Sequence, residues 1–210
     1  MKSYEPQQLV AASRYRRYVP TLTQDVQADV YARMRELIEE ERAWCDKGNY
    51  AHMAQILTSI ALYEVLQAHG ASEEEAYRAV SEEMWAFLDP SGMQRLARWR
   101  FFLPLMKRVV PLGFSHGSGA GWRYTWHKDD PKERFSFECN ECLYAKVLGS
   151  RGLMKLGAMC CHADIINYGQ LPFTDFVRTQ TLCQGGDRCD FLFVRHTTDV
   201  GDGWERSPSV

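Results

Sequence analysis

Six of the seven cysteines of this chain fall between Phe135 and Val194. They stand among acids. Glu138 and Glu141 interleave with Cys139 and Cys142, Asp164 follows Cys161 by three positions, and Asp190 follows Cys189 directly. A thiol acts as a nucleophile, as a metal ligand, or as a small core residue, and its surroundings decide which. Negative neighbours oppose thiolate formation. Thiols placed this way need a nearby cation or base, or a substrate that brings positive charge. The CxxC spacing of Cys139 and Cys142 at a predicted strand–helix junction suits redox chemistry, but the flanking glutamates work against it. Zinc on Cys139, Cys142, Cys161 and Cys189 is an alternative, although Cys183 and Cys189 are too widely spaced to form a second tight pair.

Cys161 and Asp164 share one face of a predicted helix. His162 points about 100° away from Cys161 and is a poor partner for it. Arg178 lies on a predicted strand, where alternation groups it with Gln180 and sets Thr179 and Thr181 on the other face. It is either a bidentate clamp for a substrate carboxylate or a cross-strand ion-pair partner. Gly185-Gly186 suits a tight turn, and no phosphate-loop sequence follows it. Asp190 would bind that turn's backbone or a substrate amine. Trp122, Tyr124 and Trp126 alternate with polar residues, as a pocket rim or a strand would.

The elements that must position these residues divide the chain in two. Helices are expected over about 23–44, 51–69, 73–88 and 93–109, with Ser72 and Glu75 forming a capping box and Pro104 kinking or splitting the last of them. The helix over 51–69 is apolar around most of its circumference and belongs inside the domain. A glycine-rich loop is expected over 111–131. After it come a strand (134–138), two helices (142–151 and 153–167), a strand (175–182), a turn, and a strand (189–197). This predicts one α+β domain over residues 1–199. An N-terminal helical layer, to about residue 110, precedes a small, mostly antiparallel sheet with two helices packed on it. Residues 200–210 read as a loose tail.

Composition excludes several classes. A net charge of −2 argues against general electrostatic binding of nucleic acid. No run approaches the ~20 apolar residues of a membrane span. With no secretory signal in the sequence, the expectation is a cytoplasmic protein with free thiols. The partner expected is a small molecule, with no nucleic acid and no membrane. The basic, aromatic stretch 95–108 would suit either a homo-oligomer interface or packing within the domain.

Cys142-Leu-Tyr144-Ala145, Leu156-Gly157, Cys161-His-Ala-Asp164, Arg178-Thr-Gln-Thr181, Gly185 and Cys189-Asp190-Phe191 together resemble the L-2-amino-thiazoline-4-carboxylic acid hydrolase family. The order and spacing agree over about 135–193. Lys146, Ala163 and Gln184 depart from the family pattern. The resemblance implies a fold similar to vinyl-reductase-type and Bet3-like domains. It also implies hydrolysis of a carbon–nitrogen or carbon–sulfur bond in a small cyclic amidine, such as an aminothiazoline carboxylate, with a place in specialised metabolism. On this reading Cys161 is the nucleophile, with Cys142 and Cys189 as alternatives. Asp164 and Asp190 hold the amidine nitrogens or relay protons, and Arg178, Thr181, Tyr144 and Trp122 bind substrate. No cofactor is required. A non-catalytic ligand-binding domain and a thiol-based metal or redox protein are the competing functions.

Overall fold

The capping box forms as the sequence predicts. Ser72 Oγ accepts from Glu75 N at 3.2 Å, and the Glu75 carboxylate accepts from Ser72 N at 2.8 Å. It opens one helix of a computed structural model that describes residues 4–117 and 119–196; the tail at 200–210 lies outside them. The helical layer comprises α1 (Pro6–Ala12), α2 (Gln24–Glu40), α3 (Tyr50–Ala68), α4 (Glu73–Ala86), α5 (Ser91–Ala97) and α6 (Phe102–Gly117). The second part comprises β1 (Arg123–Trp126), β2 (Arg134–Glu141), α7 (Leu143–Ser150), α8 (Met154–Tyr168), β3 (Thr174–Val177) and β4 (Cys189–Arg195). The fold is α+β, and the described residues form one four-stranded antiparallel sheet of order β1-β2-β4-β3.

The sequence of α3 explains why it is central. Met53, Leu57, Ile60, Ala61 and Leu62 are fully buried on different sides of it, so it needs apolar neighbours all round. α1, α2, α4 and α7 supply them. Its Gln55 and Ser59 are buried as well and are satisfied by polar partners, as buried polar groups must be. Gln55 accepts from Arg14 N, and Ser59 Oγ meets the Tyr15 hydroxyl.

The sheet builds a second core. Period-two alternation puts Phe135, Phe137 and Cys139 of β2 on one face, opposite Phe193, Phe191 and Cys189 of β4. That face packs on Phe102, Leu103 and Met106 of α6. The two thiols therefore continue an aromatic face at one end of the sheet.

Three expectations are corrected here. The glycine-rich loop does not begin at residue 111, because α6 runs through Pro111 and Gly113 to Gly117. The break in the preceding helix falls at residues 98–101 rather than at Pro104. Pro104 lies in the first turn of α6, where a missing N–H costs nothing. The third correction concerns β3, which ends at Val177, so Arg178 to Thr181 are not strand residues. Asp190 is the cause. Its carboxylate accepts from Thr179 N (3.0 Å), Thr179 Oγ1 (2.6 Å) and Gln180 N (2.9 Å), which draws those amides off the sheet ladder. No helix among the described residues is long and apolar enough to cross a membrane.

Candidate active site

The two cores do not close completely against each other. A cavity of about 250 Å³ lies at their seam. α6 lines it with Met106, Val110 and Phe114, and the sheet adds Phe135, Phe137, Phe191 and Phe193. Trp122, Tyr124, His52 and Tyr144 form a further wall, and Arg14 enters from the turn after α1. The chemistry comes from Cys139, Cys142, Cys160, Cys161, Cys189 and Asp164. A larger, open cleft of about 580 Å³ over Trp126, His127 and Arg134 holds no thiol. Within its lining, Arg134 is paired to Asp130 at 3.2 Å, and Ser136 donates to the same carboxylate at 2.7 Å.

The thiols are organised as a ring. Cys139 contacts Cys142 and Cys189, Cys183 contacts Cys142 and Cys161, and Cys161 contacts Cys189, so five sulfurs close on one another. Five elements bring them together: β2, the start of α7, α8, the turn of residues 182–184, and the start of β4. Gly157 is what allows the approach, since a Cβ there would stand 2.6 Å from Cys183 Sγ. Each thiol touches neighbours around the ring rather than a shared centre. Among the described residues, no group of three or more His, Cys, Asp or Glu side chains is disposed to hold a metal ion.

A ring of contacting thiols cannot treat its members alike, because an anion on one sulfur disfavours an anion on the next. Cys142 and Cys189 are the acceptors. The Cys139 and Cys183 thiols hold Cys142 well below the ordinary thiol range, against the opposing effect of burial. Cys142 is also the N-cap residue of α7. It makes no capping hydrogen bond of normal geometry, yet the Ala145 N–H still favours its anion. Cys189 is lowered by the Cys139 and Cys161 thiols and by the Leu182 N–H, 3.3 Å from its sulfur. Cys139 and Cys183 are driven upward by the neighbouring sulfurs and by burial, and Cys139 Sγ donates to the Glu141 carbonyl at 3.1 Å. Cys161 is raised. The Cys183 thiol pulls it down, but donation to Cys189 and burial outweigh that. Cys160, outside the ring, is raised by burial and sits 3.9 Å from Met84 Sδ.

Asp164 is one turn along α8 from Cys161, and both face the cavity. Burial pushes its carboxyl up to about 7, with the Arg178 guanidinium pulling the other way. A third of the side chain remains accessible, so protein surrounds the carboxyl while it stays reachable from the cavity.

Arg178 makes an ion pair, as one of its two sequence readings expects, but with α8 rather than across the sheet. It does not line the cavity and is almost fully buried. Its Nη1 donates to Asp164 Oδ2 and its Nη2 to the Cys161 carbonyl, each at 3.0 Å. Arg178 thus ties α8 and its acid to the segment that follows β3. Asp190 is spent on the backbone of Thr179 and Gln180. Thr181 donates to Gln184 Oε1 at 2.8 Å and lies against the Cys161 thiol. Neither Asp190 nor Thr181 lines the cavity. Tyr144 and Trp122 do line it, as do Cys142, Cys161, Cys189 and Asp164. His162 turns away and packs on Trp85, with ring centroids 4.7 Å apart.

Three residues went unsuspected as parts of a site. His52 lies against Trp122, centroids 4.7 Å apart, with Nδ1 at 3.4 Å from the Tyr144 hydroxyl. Asn49 looks in sequence like a helix terminator. In the fold it is fully buried, donates to the carbonyls of Trp44 and Ala120, and accepts from Gly119 N and from Trp122 Nε1. It holds the Trp122 wall in place. Arg14 has no sequence signal, because only the fold brings α1 to the cavity.

No curated protein and no solved structure matches the chain. The family model of the L-2-amino-thiazoline-4-carboxylic acid hydrolases matches residues 49–193. That span takes in α3, the sheet as far as Phe193 of β4, and every thiol of the ring, and by this match the chain belongs to the L-2-amino-thiazoline-4-carboxylic acid hydrolase family.

Proposed function

We propose that this protein opens a small cyclic amidine bearing a carboxylate, of the aminothiazoline type, through a covalent thiol adduct. One observation carries the reading: a thiol ring with two proton-accepting sulfurs and a carboxyl pushed up to about 7 face the same cavity. A protonated amidine carbon is electrophilic, and its nitrogens donate to a carboxylate.

Asp164 holds the amidinium, and a sulfur of the ring attacks the carbon between the heteroatoms. Cys189 is the sulfur best prepared for this, since the neighbouring Cys139 and Cys161 thiols and the Leu182 N–H at 3.3 Å favour its anion. The tetrahedral adduct expels one ring heteroatom, and Asp164 relays to it a proton taken from an amidine nitrogen. Water then adds to the enzyme-bound carbon, returns a proton to Asp164, and displaces the Cys189 thiolate. One water is consumed, and a carbamoyl-cysteine is released. The name of the family agrees with this substrate class.

Turnover of L-2-amino-2-thiazoline-4-carboxylate by Cys189→Ser and Cys161→Ser, with mass spectrometry of the stalled enzyme, tests the assignment. Cys189→Ser is expected to lose more than about a thousandfold in kcat, and Cys161→Ser considerably less. Normal turnover by both variants removes the covalent step.

A further inference from the structure

Once Arg178 is committed to Asp164, the cavity needs another explanation for how it would receive an anionic group. Among the described residues that line it, Arg14 is the one arginine, and no lysine joins it. The backbone carrying it is pinned. Arg14 N donates to Gln55 Oε1 at 3.1 Å, Tyr15 N donates to Ser13 Oγ at 3.1 Å, and the Tyr15 hydroxyl meets Ser59 Oγ at 3.0 Å. Ser13 and Tyr15 on either side are buried. The half-buried Arg14 side chain projects between them into the cavity.

Among the described residues, its guanidinium takes part in no hydrogen bond and no ion pair. Its charge acts on Asp164, Cys160 and Tyr144, which line the same space. The acid facing the cavity, Asp164, already has Arg178 at 3.0 Å. The site therefore contains a positive fork of five N–H donors on a fixed backbone, with no protein anion assigned to it. Such a fork matches a carboxylate. The walls beside it, Phe114, Trp122, Phe137 and Phe191, suit a flat apolar face.

We propose that Arg14 is the carboxylate anchor of this site, supplied from outside the family-matched residues 49–193, and that it selects planar heterocyclic carboxylates with an apolar flank. The inference rests on the reading of the cavity as a substrate site but not on the amidine chemistry, and the two are separable by experiment.

The test is calorimetric binding of 2-phenyl-2-thiazoline-4-carboxylate and of its carboxamide to wild type, Arg14→Met and Arg14→Lys. Hydrolysis of the aminothiazoline carboxylate is measured in parallel on the same proteins. Wild type is expected to prefer the carboxylate over the carboxamide by roughly tenfold or more, as a charge-assisted pair would give. Arg14→Met should bind the two equally, and Arg14→Lys should keep part of the preference. In turnover, Arg14→Met should raise KM much more than it lowers kcat. Arg14→Lys keeps the charge and so reports on the anchor separately from any folding defect of Arg14→Met.

Absence of a carboxylate preference in wild type overturns the proposal, and so does a preference that survives Arg14→Met. Loss of all binding by both variants also overturns it, since that would make Arg14 structural. An Arg14-dependent preference without amidine turnover leaves the anchor standing and sinks the hydrolase reading. Turnover that is indifferent to Arg14 does the reverse.

Discussion

Asp164 shows how one side chain takes its chemistry from burial. A carboxyl in water is ionised at neutral pH, but this one is pushed up to about 7 by its surroundings. In the proposed mechanism the ionised form must receive the amidinium. The proton leaves Asp164 as pH rises through about 7, so kcat/KM should fall about tenfold per unit on the acid side of that value and level off above it. Asp164→Asn should abolish the limb along with most of the activity, and a pH profile of kcat/KM checks both. The reactive thiols follow the same logic. Cys142 and Cys189, the acceptors of the ring, should alkylate faster than Cys139, Cys161 or Cys183. Peptide mapping after brief iodoacetamide treatment would read the order, and labelling led by Cys161 would restore the assignment suggested by its place beside Asp164 in sequence.

At the scale of elements, the site depends on two close approaches that no propensity encodes. α8 meets the 182–184 turn through Gly157, and Gly157→Ala would drive a methyl into Cys183. This substitution should cost more activity than stability, because the ring opens while α8 keeps its fold; activity and urea melts on one preparation would separate the two losses. The loop before β1 meets α3 through Asn49. Asn49→Ala removes partners from several buried polar groups at once and should destabilise the chain by about 2–4 kcal/mol, measured by urea denaturation.

Such contacts explain what was legible in the sequence and what was not. The helices α2, α3, α4, α7 and α8 announce themselves through apolar period and caps, because those signals are local. The Cys161–Asp164 pairing is local too, being one turn of helix. The end of β3 was hidden because Asp190, beyond the next turn, captures the amides of Thr179 and Gln180. The true partners of Arg178 were hidden for the same reason: they lie on α8, and only the packed structure puts them within reach. Pro111 and Gly113 misled in the opposite direction. Their residue types favour a break, yet α6 continues through them, with its Met106 face packed on the sheet's aromatic core.

For the molecule as a whole, the family match begins at residue 49, but the fold does not. Leu9, Tyr15, Val30, Met34 and Leu37 are fully buried in the core that surrounds α3. A fragment covering 49–193 would leave that side of α3 uncovered. It should therefore be molten, with helical far-ultraviolet but flattened near-ultraviolet circular dichroism, whereas the full chain shows a fixed aromatic spectrum. The seam between the helical core and the sheet core has a mechanical consequence as well. A space that the chain's own side chains leave unfilled is where hydrostatic pressure does its work, since unfolding eliminates that volume. The seam should be the first part of the molecule to yield under compression, opening between α6 with the sheet on one side and α3 with α8 on the other. A molecule lodged in the seam would act as a keystone, and the pressure midpoint should rise as it binds.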